Sequence, residues 1–322
     1  MTSDEAMGRC LITGASGFIG RALFDRLTDQ GVAVRGTSRN PSLVSGDWVQ
    51  VGEMHRATDW SEALRGCDVV VHAAGRAHVL HEQGADPLTA FRQVNVDGTL
   101  ALARQALEMG VRRFVLISSI GANGAETISG QPFSELSTPQ PQQAYARSKL
   151  EAEQGLRELL AGQPMEWVVV RPPLVYAGDA PGNFGRLLGL VSRRVPLPLG
   201  RVNNVRSMIA LQNLVSFLEL CMRHPAAANE TFVIADGEDV STAQLVGLLA
   251  QGMDHKARLL PVPAKALRWL LSALGRDALG QQLVGSLQVD AGKARALLGW
   301  QPEVSTREAL RDSARQWLSN RS

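Results

Sequence analysis

The sequence predicts an α/β protein with a doubly wound parallel sheet and a smaller, mainly helical C-terminal lobe. First, strand-like apolar runs alternate with helical stretches through the first half of the chain, as in strand–helix–strand units. Second, these runs are almost entirely apolar, as expected for strands that are covered on both faces. Third, proline and glycine become frequent after Arg171, which indicates a change from sheet to lobe.

The apolar runs and the helical stretches assign the individual elements. We expect strands over residues 10–13, 32–37, 48–51, 69–73, 114–118 and 167–171. Helices are expected over residues 18–30, 60–64, 87–109 and 144–160. Gly31 and Gly110 stand where C-terminal helix caps belong. The sheet domain is predicted to comprise residues 1–176 and 206–235, and the lobe residues 177–205 and 236–322.

Length and composition narrow the class of protein. A chain of 322 residues suits one large domain with a smaller lobe. The net charge of +2, with scattered lysine and arginine, favours neither a nucleic acid nor an anionic membrane as partner. No apolar run reaches the roughly 18 residues of a membrane span. The apolar helix candidate at residues 267–274 is expected to pack on its own lobe, with a membrane or partner surface as the alternative.

The cysteines and histidines predict neither a disulfide nor a metal site. Cys10, Cys67 and Cys221 are odd in number and lack the Cys-x-x-Cys spacing, so reduced buried thiols in a cytoplasmic protein are expected. A second group contains three histidines that lie close in sequence, His72, His78 and His81. No carboxylate or cysteine stands at a ligand spacing from them, and we therefore predict no bound metal.

A glycine motif near the N-terminus predicts a site for a pyrophosphate. Gly14, Gly17 and Gly20 follow the apolar run at residues 10–12. This arrangement suits a strand, a tight turn and a helix whose exposed N–H groups face the phosphates. A turn without a ligand is the alternative for such a motif alone.

A tyrosine and a lysine four residues apart predict proton-transfer chemistry. Tyr145 and Lys149 would lie on one face of a helix. An ammonium near a phenol favours the phenolate, so we expect a lowered tyrosine pKa and proton exchange near neutral pH. Ser118 and Ser119 follow another strand, at the sheet edge where ligands gather. Together with a dinucleotide site, these groups indicate hydride transfer at a carbinol or carbonyl carbon.

The chain resembles the extended short-chain dehydrogenase/reductases, which have a Rossmann sheet. The residues that carry the resemblance are the TGxxGxxG motif at 13–20, Tyr145 with Lys149, and the stretches at 72–75, 171–176 and 298–302. The resemblance implies that Tyr145 is the general acid, that Lys149 also holds the nicotinamide ribose, and that Ser119 holds the substrate oxygen. Asn95 would orient Lys149 or a water. Ser118 in place of Ser119, and a purely structural Asn95, remain alternatives.

The implied cofactor is NADP(H), with NAD(H) possible. No acid stands at the end of the second strand, where Ser38 and Arg39 suit a 2′-phosphate. This stretch is similar to the plant dihydroflavonol reductases. The alternative is that Arg39 is solvated or stacks on adenine and that both cofactors work. The implied cofactor residues are Gly14, Ser16, Gly17, Phe18, Ile19, Gly20, Ser38, Arg39, Ala73, Ala74, Gly75, Tyr145, Lys149, Pro172 and Val175.

The implied substrate is a UDP-sugar. In the sugar-nucleotide epimerases and dehydratases of this superfamily, an Asn and an Arg hold the diphosphate, and Asn183 and Arg206 match them. The implied substrate residues are Ser119, Asn183, Leu199, Arg206 and Asp290. The resemblance also implies a homodimer through a four-helix interface built from residues 87–109 and 144–160.

Within the superfamily the chain looks most like bacterial polysaccharide-locus members, some of which reduce a UDP-2-acetamido-4-keto-2,6-dideoxyhexose. Our leading hypothesis is therefore a nucleotide-sugar 4-ketoreductase that serves bacterial surface polysaccharide synthesis. Departures from the UDP-galactose epimerase pattern favour it: Ala122-Asn123-Gly124 replaces Val-Tyr-Gly, and Leu287 replaces an Arg. The alternatives are a UDP-hexose 4-epimerase with bound NAD, a reductase of small hydrophobic ketones, and a non-catalytic NADP-binding protein.

Overall fold

A parallel sheet of seven strands forms the centre of the protein in a computed structural model that describes residues 8–40, 46–77, 86–128 and 130–321. The strands are β1 Arg9–Thr13, β2 Val34–Ser38, β3 Asp47–Gln50, β4 Cys67–His72, β5 Arg113–Ile117, β6 Glu166–Arg171 and β9 Glu230–Val233. Their order is β3-β2-β1-β4-β5-β6-β9, so the chain reverses its direction of travel between β1 and β4. The predicted doubly wound α/β fold is confirmed, and its switch point is where ligands of such sheets bind.

Helices cover both faces of the sheet and build the lobe. They are α1 Phe18–Asp29, α2 Ser61–Leu64, α3 Pro87–Arg92, α4 Thr99–Glu108, α5 Ala144–Leu159, α6 Gly182–Ser192, α7 Leu211–Arg223, α8 Thr242–Gly252, α9 Ala264–Ala273, α10 Asp277–Val284, α11 Gly292–Leu298 and α12 Thr306–Ser319. None of these helices is long and apolar enough to cross a membrane.

The prediction of one continuous helix over residues 87–109 is wrong in one respect, because the helix is interrupted. A π-helical turn at Gln93–Gly98 separates α3 from α4. Directly after it, the Thr99 hydroxyl of α4 donates to the carbonyl of Asn95 at 2.7 Å. Gly98 passes close to Met54, where an added Cβ would lie 3.1 Å from the Met54 side chain. Such turns are frequent at functional sites, and this one carries Asn95.

Alternating residues of each inner strand pack into two separate cores. Cys10 and Ile12 of β1 join one core with α1 and α7, while Leu11 joins the other with α4 and α5. All three cysteines are buried thiols. This two-sided burial explains why the strands are continuous apolar runs in the sequence.

The lobe has its own apolar core beside a short second sheet. Strands β7 Leu174–Tyr176 and β8 Met208–Ala210 pair in parallel at its base. Helices α6, α8, α9 and α12 supply most of the lobe core. Helix α11 and Trp300 instead pack into the core of the large sheet, where Trp300 meets Phe217 edge to face at 5.3 Å. The predicted division into two domains stays a prediction. By its packing, the segment of α11 and Trp300 groups with the sheet domain rather than with the lobe.

Candidate active site

The glycine turn after β1 has no room for larger side chains. Gly14 has a φ of +67°, and an added Cβ would lie 2.7 Å from the backbone of Ala74. A Cβ on Gly20 would collide with the carbonyl oxygen of Gly14. Helix α1 therefore begins directly against the turn, with its N-terminal N–H groups at the carboxyl edge of the sheet. The residues present fit a dinucleotide pyrophosphate at this place.

Hydrogen bonds inside the sheet hold this turn against its neighbours. The Thr13 hydroxyl lies 2.6 Å from Nδ1 of His72, and Nε2 of His72 lies 2.9 Å from the Thr99 hydroxyl. Burial, aided by the charge of Lys149, lowers the pKa of His72 to about 3. A neutral His72 thus ties β1, β4 and α4 together. His78 and His81 lie outside the described residues. Among the residues that the structure describes, no group of three His, Cys, Asp or Glu side chains is suited to hold a metal.

A cleft of about 310 Å³ opens between the glycine turn and the ends of β4, β5 and β6. It brings together twelve of the predicted residues: Gly14, Gly17, Phe18, Ile19, Gly20, Ala73, Gly75, Ser119, Tyr145, Lys149, Pro172 and Val175. Ser118, the alternative to Ser119, also lines it, as do four residues that the sequence analysis did not assign: Arg76, Ala77, Ile117 and Pro173. Residues from distant parts of the chain therefore meet at the switch point of the sheet.

Some predicted cofactor residues lie outside this cleft. Ser16 is exposed and borders a larger adjoining groove. Ala74 donates its N–H to the Thr13 hydroxyl. At the end of β2, the Ser38 hydroxyl accepts a hydrogen bond from the Asn40 N–H at 3.1 Å, while Arg39 is exposed. The Ser38 O–H can still donate, so both Ser38 and the exposed Arg39 stay candidates for a 2′-phosphate.

Tyr145 is held in the cleft by an aromatic neighbour, but its pKa differs from the prediction. Phe91 packs edge-on against its ring, with 5.8 Å between the ring centroids. Burial raises the pKa of Tyr145 to about 12. The predicted lowering by Lys149 is therefore wrong for this structure, because loss of hydration outweighs any attraction from the lysine. The phenol is protonated at neutral pH and suited to give a proton.

Lys149 is almost fully buried, with 7% of its surface exposed. Its ammonium donates to the carbonyl oxygen of Ile117, at the end of β5, over 2.9 Å. Burial lowers the pKa of Lys149 to about 8, and the charge of Glu153 acts in the opposite direction. The ammonium is therefore close to losing its proton under physiological conditions, an unusual state for lysine.

The two serines after β5 have different partners. The Ser118 hydroxyl donates to Glu153 Oε1 at 2.5 Å in the interior. The Ser119 hydroxyl accepts from the Gly121 N–H at 3.1 Å and begins a short 3₁₀ turn. Because the Ser119 O–H can still donate, it is the serine suited to hold a substrate oxygen. This difference favours Ser119, the residue chosen from the sequence.

Asn95 fixes backbone rather than the lysine. Its side-chain amide donates to the carbonyl of Arg76 at 3.0 Å and to the Ser148 hydroxyl at 3.0 Å. Its oxygen accepts from the Arg76 N–H at 2.9 Å. The structure therefore matches the structural alternative for Asn95, which joins the loop after β4 to helix α5. The side chain still borders the site, since a Cβ on Gly75 would lie 3.2 Å from its oxygen and 3.4 Å from Lys149 Nζ.

A buried ion network beneath the cleft escaped the sequence reasoning. Glu153 and Arg171 pair in the interior, and Arg171 also donates to Asn123 Oδ1 at 3.0 Å. The sequence held one signal for it: Glu153 follows Lys149 by the same four residues that separate Lys149 from Tyr145. All three side chains therefore stand on one face of α5.

The predicted substrate residues are only partly brought together. Asn183 is exposed at the start of α6 and donates to Gln282 of α10 at 2.6 Å. Arg206 donates to the carbonyl of Gly285 at 3.0 Å, and burial lowers its pKa. Leu199 is only 3% exposed and lies in the lobe core. Its predicted contact with substrate is corrected by this burial, because its surface is taken up by neighbouring side chains.

Asp290 occupies a turn at the surface rather than the cleft. It is exposed, and its carboxylate accepts from the Gly292 N–H at 2.9 Å where α11 begins. The residues for which the structure shows a shared cleft are therefore those of the cofactor and the proton-transfer set. A substrate role for Asn183, Arg206 and Asp290 stays a proposal.

The fold and the site define an enzyme of the short-chain dehydrogenase/reductase class that uses a nicotinamide cofactor. The glycine turn at the switch point and the Ser119, Tyr145 and Lys149 set around one cleft are its distinguishing features. Residues 10–235 match the NAD dependent epimerase/dehydratase family, and the chain belongs to that family.

Some known relatives carry epimerase names, and others are named hydroxysteroid dehydrogenases or ketoreductases. A UDP-glucose 4-epimerase of Vibrio cholerae is 38% identical over 321 residues, covering 98% of each chain. The N-acetyl-alpha-D-glucosaminyl-diphospho-ditrans,octacis-undecaprenol 4-epimerase of Escherichia coli O157:H7 is 27% identical over 82% of this chain and 77% of its own. The structure of the UDP-glucose 4-epimerase of Thermus thermophilus in complex with NAD superposes with a TM-score of 0.76 at 22% identity, covering 96% of this chain and 99% of its own.

Proposed function

We propose that this protein is a nucleotide-sugar 4-epimerase that inverts the C4 hydroxyl of a UDP-hexose. The observation that carries the proposal is the full-length, 38% identical relative named UDP-glucose 4-epimerase, taken with the Ser119, Tyr145 and Lys149 set in one cleft. This reading replaces the 4-ketoreductase as the leading hypothesis, because the named relatives favour epimerisation.

The side chains of the cleft would bind the C4 oxygen and transfer its proton. Ser119 would donate a hydrogen bond to that oxygen. The phenolate form of Tyr145 would take the hydroxyl proton when C4 is oxidised, and the phenol would return it when C4 is reduced. The Lys149 ammonium, with a pKa of about 8, would stabilise the phenolate when it forms. A bound nicotinamide supplies hydride acceptance and return at C4. Gly14, Gly17, Gly20 and Lys149 are the residues that would hold it.

In this proposal, Arg206 of the sheet domain and Asn183 of the lobe bind the diphosphate. Arg206 is positioned by its bond to Gly285, and its planar guanidinium can donate two parallel hydrogen bonds to a phosphate. Asn183 would provide a second donor from α6. The E. coli relative is named for a sugar on undecaprenyl diphosphate. A polyprenyl-linked sugar is therefore the next substrate to test after UDP-glucose and UDP-N-acetylglucosamine.

A 4-ketoreductase of a UDP-2-acetamido-2,6-dideoxyhexose, serving surface polysaccharide synthesis, is the second candidate. The observation that favours it is the end of β2, where Ser38 and exposed Arg39 stand in place of an acid. An arginine there suits NADPH, which a reductase binds and releases in each cycle. The epimerase would instead retain NAD, the cofactor named in the Thermus thermophilus complex.

One experiment separates the two candidates. Purified protein is incubated with UDP-glucose or UDP-N-acetylglucosamine, and the 4-epimers are resolved by NMR; in parallel it is given NADPH with UDP-4-keto sugars while absorbance at 340 nm is followed. Interconversion of the 4-epimers without net NADPH loss supports the epimerase. Stoichiometric NADPH loss with a single 4-hydroxy product, and no interconversion, overturns it in favour of the reductase.

We also propose a homodimer in which the helical segments 87–109 and 144–160 of each subunit form a four-helix interface. Helices α4 and α5 pack side by side, and Arg92 pairs with Glu151 at 2.6 Å on the exposed side of this layer. Light scattering of the purified protein tests the proposal, because a mass of one chain contradicts it.

A further inference from the structure

Helix α9 exposes an apolar face on the surface of the lobe. Leu267 and Leu271 point into the lobe core. On the other side, Trp269 is 73% exposed, Leu270 50% and Leu274 62%. Since residues three and four apart share a helix face, these side chains form one stripe with Ala266 and Ala273. Leu260, 49% exposed, lies in the segment before the helix. We call Trp269, Leu270 and Leu274 the α9 patch.

The segment around the α9 patch is strongly basic. Residues 255–276 contain Lys256, Arg258, Lys265, Arg268 and Arg276, all exposed, and no aspartate or glutamate. The neighbouring segment 193–201 pairs with this one through two backbone hydrogen bonds between Leu197 and the 258–260 stretch. It adds Arg193, Arg194 and Arg201, also without an acid.

Acids beside the basic segment offset only part of its charge. Asp254 and Asp277 flank the basic segment at its two ends. Glu126, which follows β5 in the chain, pairs with Arg268 at 3.6 Å. The whole chain carries only +2, whereas segments 193–201 and 255–276 together contain eight lysine and arginine residues and no acid. A small net charge therefore hid a basic surface that the fold assembles from two segments.

We propose that the α9 patch docks this protein on an anionic phospholipid bilayer. An interfacial helix joins a tryptophan and leucines on one face with basic side chains beside them, and α9 has this composition. At ten residues, α9 is about 15 Å long, which suits a helix lying in the headgroup region rather than crossing it. The basic side chains would lie over acidic headgroups.

Charge argues against a second copy of this chain as the occupant. A twofold dimer through the patch would bring the same surface of two subunits together. Two basic surfaces would then face each other and repel. An anionic bilayer is complementary in charge and accepts apolar side chains over a wide area. The inference does not rest on the proposed reaction, and its test uses no substrate.

Vesicle flotation tests the proposal directly. Full-length protein is mixed with phosphatidylcholine vesicles that contain phosphatidylglycerol, and with vesicles of phosphatidylcholine alone. We expect flotation with the anionic vesicles, weakening as salt is raised because the charges are screened. The double variant Trp269→Ser with Leu274→Ser should bind roughly tenfold more weakly or worse. Leu136→Ser removes a 94% exposed leucine from another surface and should leave flotation unchanged.

Two further variants separate the apolar and the charged contributions. Lys265→Glu with Arg276→Glu should weaken flotation on anionic vesicles, while Arg56→Glu, an exposed arginine elsewhere, should not. Trp269→Phe should still float but lose the shift of tryptophan emission to shorter wavelength on vesicle addition. All of these side chains are exposed, and thermal melting checks that each variant is folded.

Three results would overturn the proposal. The first is no flotation of the wild-type protein on anionic vesicles. The second is flotation that the Trp269→Ser, Leu274→Ser protein retains in full. The third is a stable dimer that this double variant separates, without vesicle binding, which would make the α9 patch an interface between copies of the chain.

Discussion

Glu153 and Arg171 form an ion pair in the interior, with Arg171 Nε 2.9 Å from Glu153 Oε1 and exposed fractions of 0% and 3% for the two residues. The pair joins helix α5 to the end of β6, and the Ser118 hydroxyl joins it from the end of β5. It lies one helical turn beyond Lys149. Polar side chains thus anchor the catalytic face of α5 to two neighbouring strands, in addition to the apolar packing of the helix.

Removing one charge of this pair should destabilise the protein strongly. Glu153→Gln leaves Arg171 buried without its counter-charge, and a broken buried pair costs about 3–5 kcal/mol. Urea unfolding followed by circular dichroism measures the loss. Glu158→Gln, on an exposed position of the same helix, is the matched control and should change stability by less than about 0.5 kcal/mol. Equal effects of the two variants would contradict the structural role of Glu153.

Lys149→Met should stabilise the protein while removing its activity. The pKa of Lys149 is lowered from 10.5 to about 8, so the folded state binds the proton less readily than the unfolded state. The weaker proton binding of Lys149 in the folded state therefore lowers the free energy of unfolding of the wild type by on the order of 3 kcal/mol at pH 7. Loss of the bond to Ile117 offsets about 1 kcal/mol, so a gain on the order of 2 kcal/mol is expected.

The difference in stability between Lys149→Met and wild type should depend on pH. Between pH 8 and 10.5 the unfolded wild type holds more protons than the folded one, so its free energy of unfolding rises with pH there. The advantage of Lys149→Met should therefore shrink across that window in urea titrations. Lys256→Met, at an exposed lysine, should show a flat difference from wild type. A Lys149→Met protein less stable than wild type at pH 7 would refute the argument.

Tyr145→Phe should lower turnover by roughly 10²–10⁴-fold, the range for loss of a positioned acid or base. The ring remains, so the edge-on contact with Phe91 and the folding of α5 are retained. Cofactor binding, measured by fluorescence titration with NADH, should stay within a factor of about two because the glycine turn is untouched. Undiminished turnover would show that Tyr145 is not the proton-transfer group.

Gly14→Ala should abolish cofactor binding. The added methyl group would lie 2.7 Å from the backbone of Ala74 and would distort the turn that faces the pyrophosphate. Gly31→Ala is a matched control for backbone strain: Gly31 has a φ of +74°, but nothing lies within 4 Å of its added Cβ. Gly31→Ala should lose stability and keep its cofactor. Equal cofactor binding by both variants would exclude a phosphate role for the turn.

Arg39→Gln should reduce the preference for NADPH over NADH by roughly tenfold, the worth of a charge-assisted hydrogen bond to a 2′-phosphate. Dissociation constants for both cofactors, measured in parallel, give the ratio. Arg56→Gln removes another exposed arginine and should leave the ratio unchanged. A wild-type protein that prefers NADH tenfold would end the NADP interpretation and would agree with the epimerase.

Much of the site was predictable because its parts are local in sequence. The turn at Gly14–Gly20 and the spacing of Tyr145 and Lys149 each follow from a few consecutive residues. The edge of the sheet then brings them together, since parallel strands end on the same side. Twelve predicted residues line one cleft for this reason.

The errors concern burial, which a single sequence does not show. Leu199 was placed at the substrate and lies in the lobe core, because neighbours from distant segments cover it. The pKa of Tyr145 was expected to fall and instead rises, because the loss of water around it depends on packing in three dimensions. The helix expected over residues 267–274 does pack on its own lobe through Leu267 and Leu271, but the sequence could not show which of its other side chains stay uncovered.

By itself, the sequence determined the alternation of strands and helices, the glycine turn, and the side chains that can exchange a proton. Periodicity and spacing along the chain carry that information. Only the tertiary structure decided which serine can donate a hydrogen bond to substrate, which side chain pairs with Glu153, and which face of α9 remains exposed. Hydration and electrostatic energy depend on every neighbour in space, and most of those neighbours are far apart in the chain.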